Sequence, residues 1–335
     1  MSDRTLELQH WLVEVLGSFP ADMRPASTDA SSRRYWRLGP PGATRIAVDA
    51  PPQHEDAARF VRLAGAFRRV GLNTPEVLAA DVDRGFLLLS DLGERSYLST
   101  LTVDTADRLY GDAIGALITL QAAEPLGELP DYDGPFLLRE LVLFDQWLLQ
   151  GLLSIELTSD QRDALDQAFS HLVASALDQP RVCVHRDFHS RNLMLTEQGN
   201  PGVLDFQDAV VGPVTYDLVS LLKDCYIRWD RARIEDWARG WLDQALDAGI
   251  LGSEHEPNVM AWMDLMGAQR HLKAAGIFAR LALRDGRPGY LADVPRTLGY
   301  VTEIAAFYPA LAPLGELIET VVMPRFAERG YVVGS

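Results

Sequence analysis

The chain has 335 residues, of which 47% are hydrophobic, and its formal net charge is −16 at pH 7. This hydrophobic content excludes a disordered chain, and the acidity argues against a nucleic-acid partner, which would need clustered Lys and Arg. Two cysteines are too few for a disulfide framework, and no uninterrupted apolar run approaches the length of a membrane span. Because no charged and then apolar signal segment opens the sequence, we expect a cytoplasmic protein without a membrane partner.

The first third of the chain predicts a small sheet with one or two helices. Residues 6–16 (LELQHWLVEVL) carry apolar side chains at helical spacing and stop at Gly17, which predicts an amphipathic helix. A second helix is predicted between Glu55 and Gly71. Short apolar runs predict strands at 26–38, where a polar turn divides two strands, and at 45–48, 76–79 and 85–89.

Beyond residue 92 the pattern is mostly helical. Apolar residues at helical spacing predict helices at 104–121, 137–152, 159–177, 217–226, 233–246, 258–283, 296–308 and 314–328. The change from strands to helices predicts two lobes, residues 1–92 and residues 93–335. The expected fold class is α+β, with a small β-rich N-lobe and a larger, mainly α C-lobe.

The most informative stretch interrupts this helical pattern at residues 182–217, VCVHRDFHSRNLMLTEQGNPGVLDFQDAVVGPVTYD. Apolar pairs and triplets separated by polar loops and a Gly-Asn-Pro turn predict short strands at 182–184, 193–195 and 203–204. Two carboxylates and an amide are thereby held at strand ends, where side chains are well placed for chemistry.

The loop between the first two of these strands fits the catalytic loop of kinases. In that loop, His-Arg-Asp is followed by four residues and an Asn, as at Asp187 and Asn192. The Asp accepts the proton of the attacking hydroxyl, and the Asn binds Mg²⁺. Asp205 is then predicted as the second magnesium ligand, because Mg²⁺ takes hard oxygen atoms from one or two side chains and from the nucleotide phosphates.

A second hypothesis for the same loop is a transition-metal site. His185, Asp187 and His189 alternate, so on a strand all three would point to one side, as in a Zn²⁺ or iron triad. No further His or Cys cluster follows to complete the coordination shell. The kinase loop is therefore the favoured interpretation.

The stretch resembles the catalytic core of the aminoglycoside phosphotransferase and choline kinase superfamily. The resemblance implies a two-lobed, protein-kinase-like fold that uses ATP and Mg²⁺, with Asp217 of the PVTYDL segment as a structural residue that braces the catalytic loop. Asp205 and Asp217 are only twelve positions apart, so the long activation segment of protein kinases has no room. We therefore expect a small-molecule acceptor.

The resemblance also implies residues for ATP, with one departure. The turn at Ser31 and Ser32 would cover the triphosphate, and Asp91-Leu92 resembles the hinge that holds adenine. The family usually places a phosphate-binding Lys on the third strand, where this chain has Asp49 instead. We expect an Arg of the second strand, Arg34 or Arg37, to replace that Lys.

Further segments resemble the amino-sugar kinases of bacterial cell-wall recycling, among them DASSRRYWRL, AVDAPPQHED and GFLLLSDLG. This implies phosphorylation of the anomeric hydroxyl of N-acetylmuramate and N-acetylglucosamine by a monomer in peptidoglycan recycling. Aminoglycoside, choline and homoserine kinases stay open as alternatives, and the missing Lys leaves a nucleotide-binding pseudokinase open as well. The expected sugar-binding residues lie near the catalytic loop and on a basic stripe of the helix at 258–283: His189, Arg191, Asp208, Arg270 and Lys273.

Overall fold

The computed structural model describes residues 3–18, 22–26, 33–123 and 129–331. These residues form two compact units. The first unit contains the described residues up to 123 together with Arg191–Asp208, and the second contains those from 129 to Ser190 together with those from Ala209 onwards. The lobe boundary predicted at residues 92 and 93 stays a prediction.

The first unit is built on a five-stranded antiparallel sheet with strand order β1-β2-β3-β5-β4. Its strands are β1 (Arg24–Pro25), β2 (Arg34–Leu38), β3 (Arg45–Asp49), β4 (Val77–Asp81) and β5 (Phe86–Ser90). Helix α1 (Asp3–Leu16) packs its apolar side chains Leu8, Trp11 and Leu12 into one core with Phe86 and Leu88 of β5. The alternation of buried and exposed residues along α1 is the pattern that its sequence predicts.

Two further helices and a hairpin complete the described part of the first unit. The helices are α2 (Ala57–Arg69) and α3 (Ala106–Gln121). Asp56 caps α2, because its carboxylate accepts the backbone N–H of Arg59 at 2.7 Å. Within Arg191–Asp208, strands β7 (Leu193–Met194) and β8 (Gly202–Val203) form an antiparallel hairpin. This hairpin positions the residues on either side of it.

The second unit is mainly helical. Its strands β6 (Arg181–Val184) and β9 (Val210–Pro213) pair antiparallel. Its α-helices are α4 (Gly134–Leu143), α5 (Ser159–Leu177), α6 (Tyr216–Leu222), α7 (Arg231–Asp247), α8 (Val259–Asp285), α9 (Val294–Ala305), α10 (Ala312–Leu317) and α11 (Met323–Glu328). Helix α4 continues as a π-helix over Phe144–Leu152, and a second π-helical segment, Ile318–Val322, joins α10 to α11.

Helix α8 is the centre of the second unit, where α4, α5, α6 and α9 all pack against it. Gly276 lets two helices approach closely, because a Cβ atom at this position would lie 2.4 Å from the carbonyl carbon of Leu143. Seventeen residues of α8 are buried, including the charged Asp264, Arg270 and Lys273. A helix surrounded in this way needs an internal partner for every charge that it carries.

The predicted α+β class, with a sheet in the N-terminal part and a mainly helical C-terminal part, is confirmed. One helix prediction was wrong at its C-terminal end, and strand β9 was missed. The helix predicted at 217–226 ends at Leu222. In the described ranges, no helix combines the length and the apolar character that crossing a membrane requires.

Candidate active site

The loop after β6 is held to α6 by Asp217, as the resemblance implies for this residue. The fully buried carboxylate of Asp217 accepts the backbone N–H of His185 at 2.6 Å and that of Arg186 at 2.9 Å. Arg186 has a φ of 77°, a left-handed conformation that costs a non-glycine residue roughly 1–3 kcal/mol. The two hydrogen bonds to a carboxylate offset this strain and fix the backbone immediately before Asp187.

The other end of the loop is held by a residue that the sequence analysis did not identify. Ser190 donates its backbone N–H to Asp224 at 3.0 Å and its hydroxyl to the same carboxylate at 2.5 Å. Asp217 lies in the first turn of α6, and Asp224, seven residues later, follows the end of this helix, so α6 and the residues after it present both carboxylates to the loop. That spacing was visible in the sequence.

Asp187 lies between these two attachments and is half-buried. Burial acts to raise the pKa of its carboxyl, but the electrostatic influence of nearby basic groups, the ammonium of Lys273 first among them, outweighs burial, so the pKa lies below its usual value. Asp187 is therefore ionised at neutral pH, which is the form that accepts a proton from a hydroxyl.

The transition-metal hypothesis is wrong for the loop. Over the ranges that the structure covers, no three His, Cys, Asp or Glu side chains are grouped to hold a metal ion. The ring of His185 turns back to its own loop, where Nδ1 accepts the backbone N–H of Asp187 at 3.2 Å. The ring of His189 packs edge-on against Tyr226, with centroids 5.5 Å apart.

A buried cluster of charges lies in the second unit and includes Lys273. The carboxylate of Glu140 pairs with the guanidinium of Arg186 and accepts the hydroxyl of Tyr132. The ammonium of Lys273 lies 3.0 Å from the same carboxylate and donates to the hydroxyl of Tyr216 at 2.8 Å. Such a cluster is stable only when every member is paired.

The burial of this cluster contradicts the prediction that a basic stripe on α8 binds the sugar. Lys273 is 7% exposed and its ammonium is already bound, and Arg270 is 6% exposed with one guanidinium nitrogen 3.6 Å from the sulfur of Cys225. Both side chains point into the core of the second unit, so the stripe is not a surface that could receive a ligand carboxylate. His189 is buried in the second unit, whereas the half-buried Arg191 and the exposed Asp208 lie in the first.

The predicted magnesium ligands both belong to the first unit, at the base of the β7–β8 hairpin. The side-chain amide of Asn192 donates to one carboxylate oxygen of Asp205 at 3.5 Å, and that of Gln207 donates to the other at 2.7 Å. The Asp205 side chain is 44% exposed, and its backbone has a φ of 62°. The amide oxygen of Asn192 and the carboxylate of Asp205 are hard donors of the number that Mg²⁺ takes from a protein when phosphates supply the rest.

The residues predicted to contact ATP differ in burial and in whether the structure describes them. Ser31 and Ser32 lie outside the described residues, and Arg34 is exposed on β2. Arg37 is buried, and its guanidinium binds the carboxylate of Asp91 at 2.5 and 3.0 Å, so it is not available as a phosphate ligand. This is a correction to the hypothesis that Arg37 replaces the strand lysine. Leu92 packs beside Gly202.

A cavity of about 180 Å³ opens in the second unit between α7, α8 and α9. A single water needs only about 10–15 Å³, so the cavity has room for a small molecule. Its wall contains two ion pairs, Lys223 with Asp264 at 2.7 Å and Arg228 with Glu303 at 2.5 Å. Tyr300 also lines it, and the phenol oxygen of this residue has no hydrogen-bond partner within the described part of the chain.

Comparisons with known proteins identify the family and the relatives of this chain. A model described as the phosphotransferase enzyme family matches residues 22–251. The N-acetylmuramate/N-acetylglucosamine kinase of Pseudomonas aeruginosa is 46% identical over 92% of this chain and 90% of its own length. The protein of the same name from Neisseria meningitidis is 40% identical over 98% of this chain and 99% of its own length.

Solved structures show the same fold at low identity. Choline kinase LicA from Streptococcus pneumoniae superposes with a TM-score of 0.62 at 11% identity. The match covers 91% of this chain and 100% of the LicA chain. An ADP-bound aminoglycoside phosphotransferase has a TM-score of 0.57 at 17% identity, covering 88% of this chain and 97% of its own. The family match and the named relatives define a phosphotransferase, and the solved structures show its protein-kinase-like fold. The chain belongs to the phosphotransferase enzyme family, as its sequence motifs predicted.

Proposed function

We propose that this protein is an ATP-dependent kinase that phosphorylates the anomeric hydroxyl of N-acetylmuramate and N-acetylglucosamine. The observation that carries the proposal is the loop around Asp187, attached at both ends by buried carboxylates, in a chain 40–46% identical to relatives that bear the name of this kinase. A monomer in the cytoplasm that serves peptidoglycan recycling is part of the same proposal.

In this reaction Asp187 accepts the proton of the sugar hydroxyl as that oxygen attacks the terminal phosphorus of ATP. The bond from this phosphorus to the bridging oxygen breaks, and ADP leaves. Asn192 and Asp205 would hold the Mg²⁺ that accompanies the nucleotide. When bound, this ion neutralises the charge on the phosphate oxygens.

We further propose that the cavity between α7, α8 and α9 receives the sugar. Its ion pairs offer both donors and acceptors to ring hydroxyls, and the buried hydroxyl of Tyr300 in its wall has no hydrogen-bond partner among the described residues. A connection to the catalytic loop supports this location. The cavity-lining Lys223 directly precedes Asp224, which binds Ser190.

The test is an assay of ADP release with ATP, Mg²⁺ and a panel of N-acetylmuramate, N-acetylglucosamine, choline, homoserine and an aminoglycoside. Phosphorus NMR of the product distinguishes an anomeric phosphate from a phosphate on another hydroxyl. We expect turnover with the two amino sugars and a product at C1. In Asp187→Asn, kcat should fall at least ~100-fold while ATP binding survives. Turnover with choline or an aminoglycoside alone would contradict the proposal, and ATP binding without any turnover would indicate a pseudokinase.

A further inference from the structure

The third strand of the sheet supplies no cation from its buried end. Asp49 occupies the last position of β3 and is 1% exposed. Its carboxylate binds the guanidinium of Arg4 in α1 at 2.5 and 2.9 Å. The charge of Asp49 is therefore neutralised within the first unit. If this unit binds nucleotide phosphates, as the proposed function requires, their positive partner comes from another element.

Arg33, immediately before β2, has the required position. Its guanidinium lies 2.5 Å from the carboxylate of Glu55, the residue that precedes the cap of α2. Its other terminal nitrogen lies 3.8 Å from the carboxylate of Asp205. The side chains of Arg33 and Glu55 are each only 13% exposed. A pair this well shielded is screened by salt far less than a surface ion pair.

Arg33 also donates a hydrogen bond to the side chain of Tyr35, and its contacts with Glu55 and Asp205 differ in kind. The distance to Glu55 is that of a charge-assisted hydrogen bond, whereas 3.8 Å is too long for a hydrogen bond to Asp205. Glu55 thus anchors one side of the guanidinium, and the other side is directed toward the carboxylate assigned to Mg²⁺. The planar guanidinium carries five N–H donors, and its geometry matches phosphate oxygens.

We propose that Arg33 binds the phosphates of the nucleotide and that Glu55 is a positioning residue for its guanidinium. This inference rests on the proposed function, because it assumes that the first unit binds ATP. It replaces the hypothesis that Arg34 or Arg37 has this role. Arg34 is exposed, and Arg37 is bound to Asp91.

The experiment compares nucleotide binding in four proteins by titration calorimetry, without any sugar. These are the wild type, Arg33→Ala, Arg34→Ala and Arg45→Ala, the last a control because Arg45 is exposed at the start of β3. The probes are ATP, ADP and adenosine, each with Mg²⁺ and with EDTA. We expect Arg33→Ala to weaken ATP and ADP binding by about 10- to 100-fold, the usual effect of losing a hydrogen bond to a charged group. Adenosine binding should be unchanged, and Arg45→Ala should match the wild type.

A further variant distinguishes a phosphate contact of Arg33 from a structural role of this residue. Glu55→Gln keeps the shape of the anchor without its charge, so it should weaken ATP binding less than Arg33→Ala and leave adenosine binding intact. The inference is overturned if Arg33→Ala weakens adenosine binding as much as ATP binding, or if it changes neither affinity. It is also overturned if Arg34→Ala weakens ATP binding more than Arg33→Ala does. A wild type that binds ATP through Arg33 yet phosphorylates no amino sugar would refute the proposed substrate and leave this inference standing.

Discussion

Ser190 donates both its backbone N–H and its hydroxyl to one carboxylate, that of Asp224, and both residues are fully buried. Asp217 binds the other end of the same loop. The loop that carries Asp187 is therefore attached to the two ends of α6. Because the attachments are hydrogen bonds to buried carboxylates, losing one leaves donors or an acceptor unsatisfied in the core.

We expect Asp224→Asn to lower kcat by roughly tenfold and the free energy of unfolding by about 1–3 kcal/mol. The asparagine retains one acceptor oxygen for Ser190 but loses the negative charge. Steady-state kinetics and urea unfolding measure the two effects. Ser190→Ala is the matched control, since it removes only the hydroxyl donor and should lower kcat less. A kcat equal to that of the wild type in Asp224→Asn would show that this attachment does not position the base.

Asp205→Asn tests the magnesium assignment. Asparagine tolerates the left-handed backbone at this position better than alanine does, so the variant should fold. It removes the charged metal ligand, and metal ions contribute several kcal/mol to such reactions. We expect at least a ~100-fold loss of Mg²⁺-dependent turnover and a higher Mg²⁺ concentration for half-maximal rate. Glu197→Ala, an exposed carboxylate on the same hairpin, should show neither change. A Mg²⁺ titration that matches the wild type would place the metal elsewhere.

Lys273→Met tests the buried charge cluster. The variant leaves the carboxylate of Glu140 with one cation fewer, and breaking a buried ion pair costs about 3–5 kcal/mol. We therefore expect a large loss of unfolding free energy and equal effects on the KM for N-acetylmuramate and for N-acetylglucosamine. Arg280→Ala, on the same helix but only partly buried, should be much milder. A rise in KM for N-acetylmuramate alone would restore Lys273 as a carboxylate ligand.

The sequence was sufficient to locate the loop that contains Asp187 and insufficient for α8, for a physical reason. Asn192 and Asp205 flank one short hairpin, so their spacing along the chain constrains their positions relative to each other. On α8 the spacing of Arg270 and Lys273 correctly places them near one another on the helix, but it cannot show which face meets solvent. Because neighbours surround α8, a stripe that would be solvated on a surface helix is buried instead.

The same reasoning explains Arg33 and Glu140. Strand alternation groups Arg33 with Arg37, yet their partners, Glu55 and Asp91, lie on separate segments that only the folded chain brings to them. Glu140 lies in an ordinary amphipathic helix, and no feature of its sequence neighbourhood distinguishes it from a surface acid. The sequence motifs did not contain these partners, because the partners are distant from the motifs in sequence.

Tyr300→Phe tests the sugar cavity. The hydroxyl has no hydrogen-bond partner in the described ranges of the chain, so its removal should leave the unfolding free energy unchanged. If a sugar hydroxyl binds there, the KM for both amino sugars should rise by about three- to tenfold, the usual worth of one neutral hydrogen bond, with no change in the KM for ATP. Steady-state kinetics with each substrate varied in turn measures this difference. Unchanged KM values for the sugars would exclude Tyr300 as a ligand.

His271 predicts how stability depends on pH. It is fully buried, Nε2 lies 2.8 Å from the carbonyl oxygen of Lys223, and its ring stacks on Tyr300 with centroids 4.6 Å apart. Burial, reinforced by the positive charge of Arg270, lowers the pKa of His271 to about 3. In the unfolded chain the pKa of a histidine is about 6.5. Below that pH the unfolded state therefore binds a proton that the folded state does not bind. The stability that the neutral His271 contributes is therefore fully present above pH 6.5 and is lost as the pH falls toward 3.

His271→Phe isolates this contribution, because it keeps an aromatic ring beside Tyr300 and removes the titration. Carboxylates act alike in both proteins, so their effect cancels in the comparison. Between pH 7.5 and pH 5.0 the wild type should lose roughly 2 kcal/mol more unfolding free energy than the variant, from a proton bound only in the unfolded state. Urea unfolding at the two pH values measures the difference. Parallel losses in both proteins would mean that His271 is protonated equally in the folded and unfolded chain, which its burial beside Arg270 argues against.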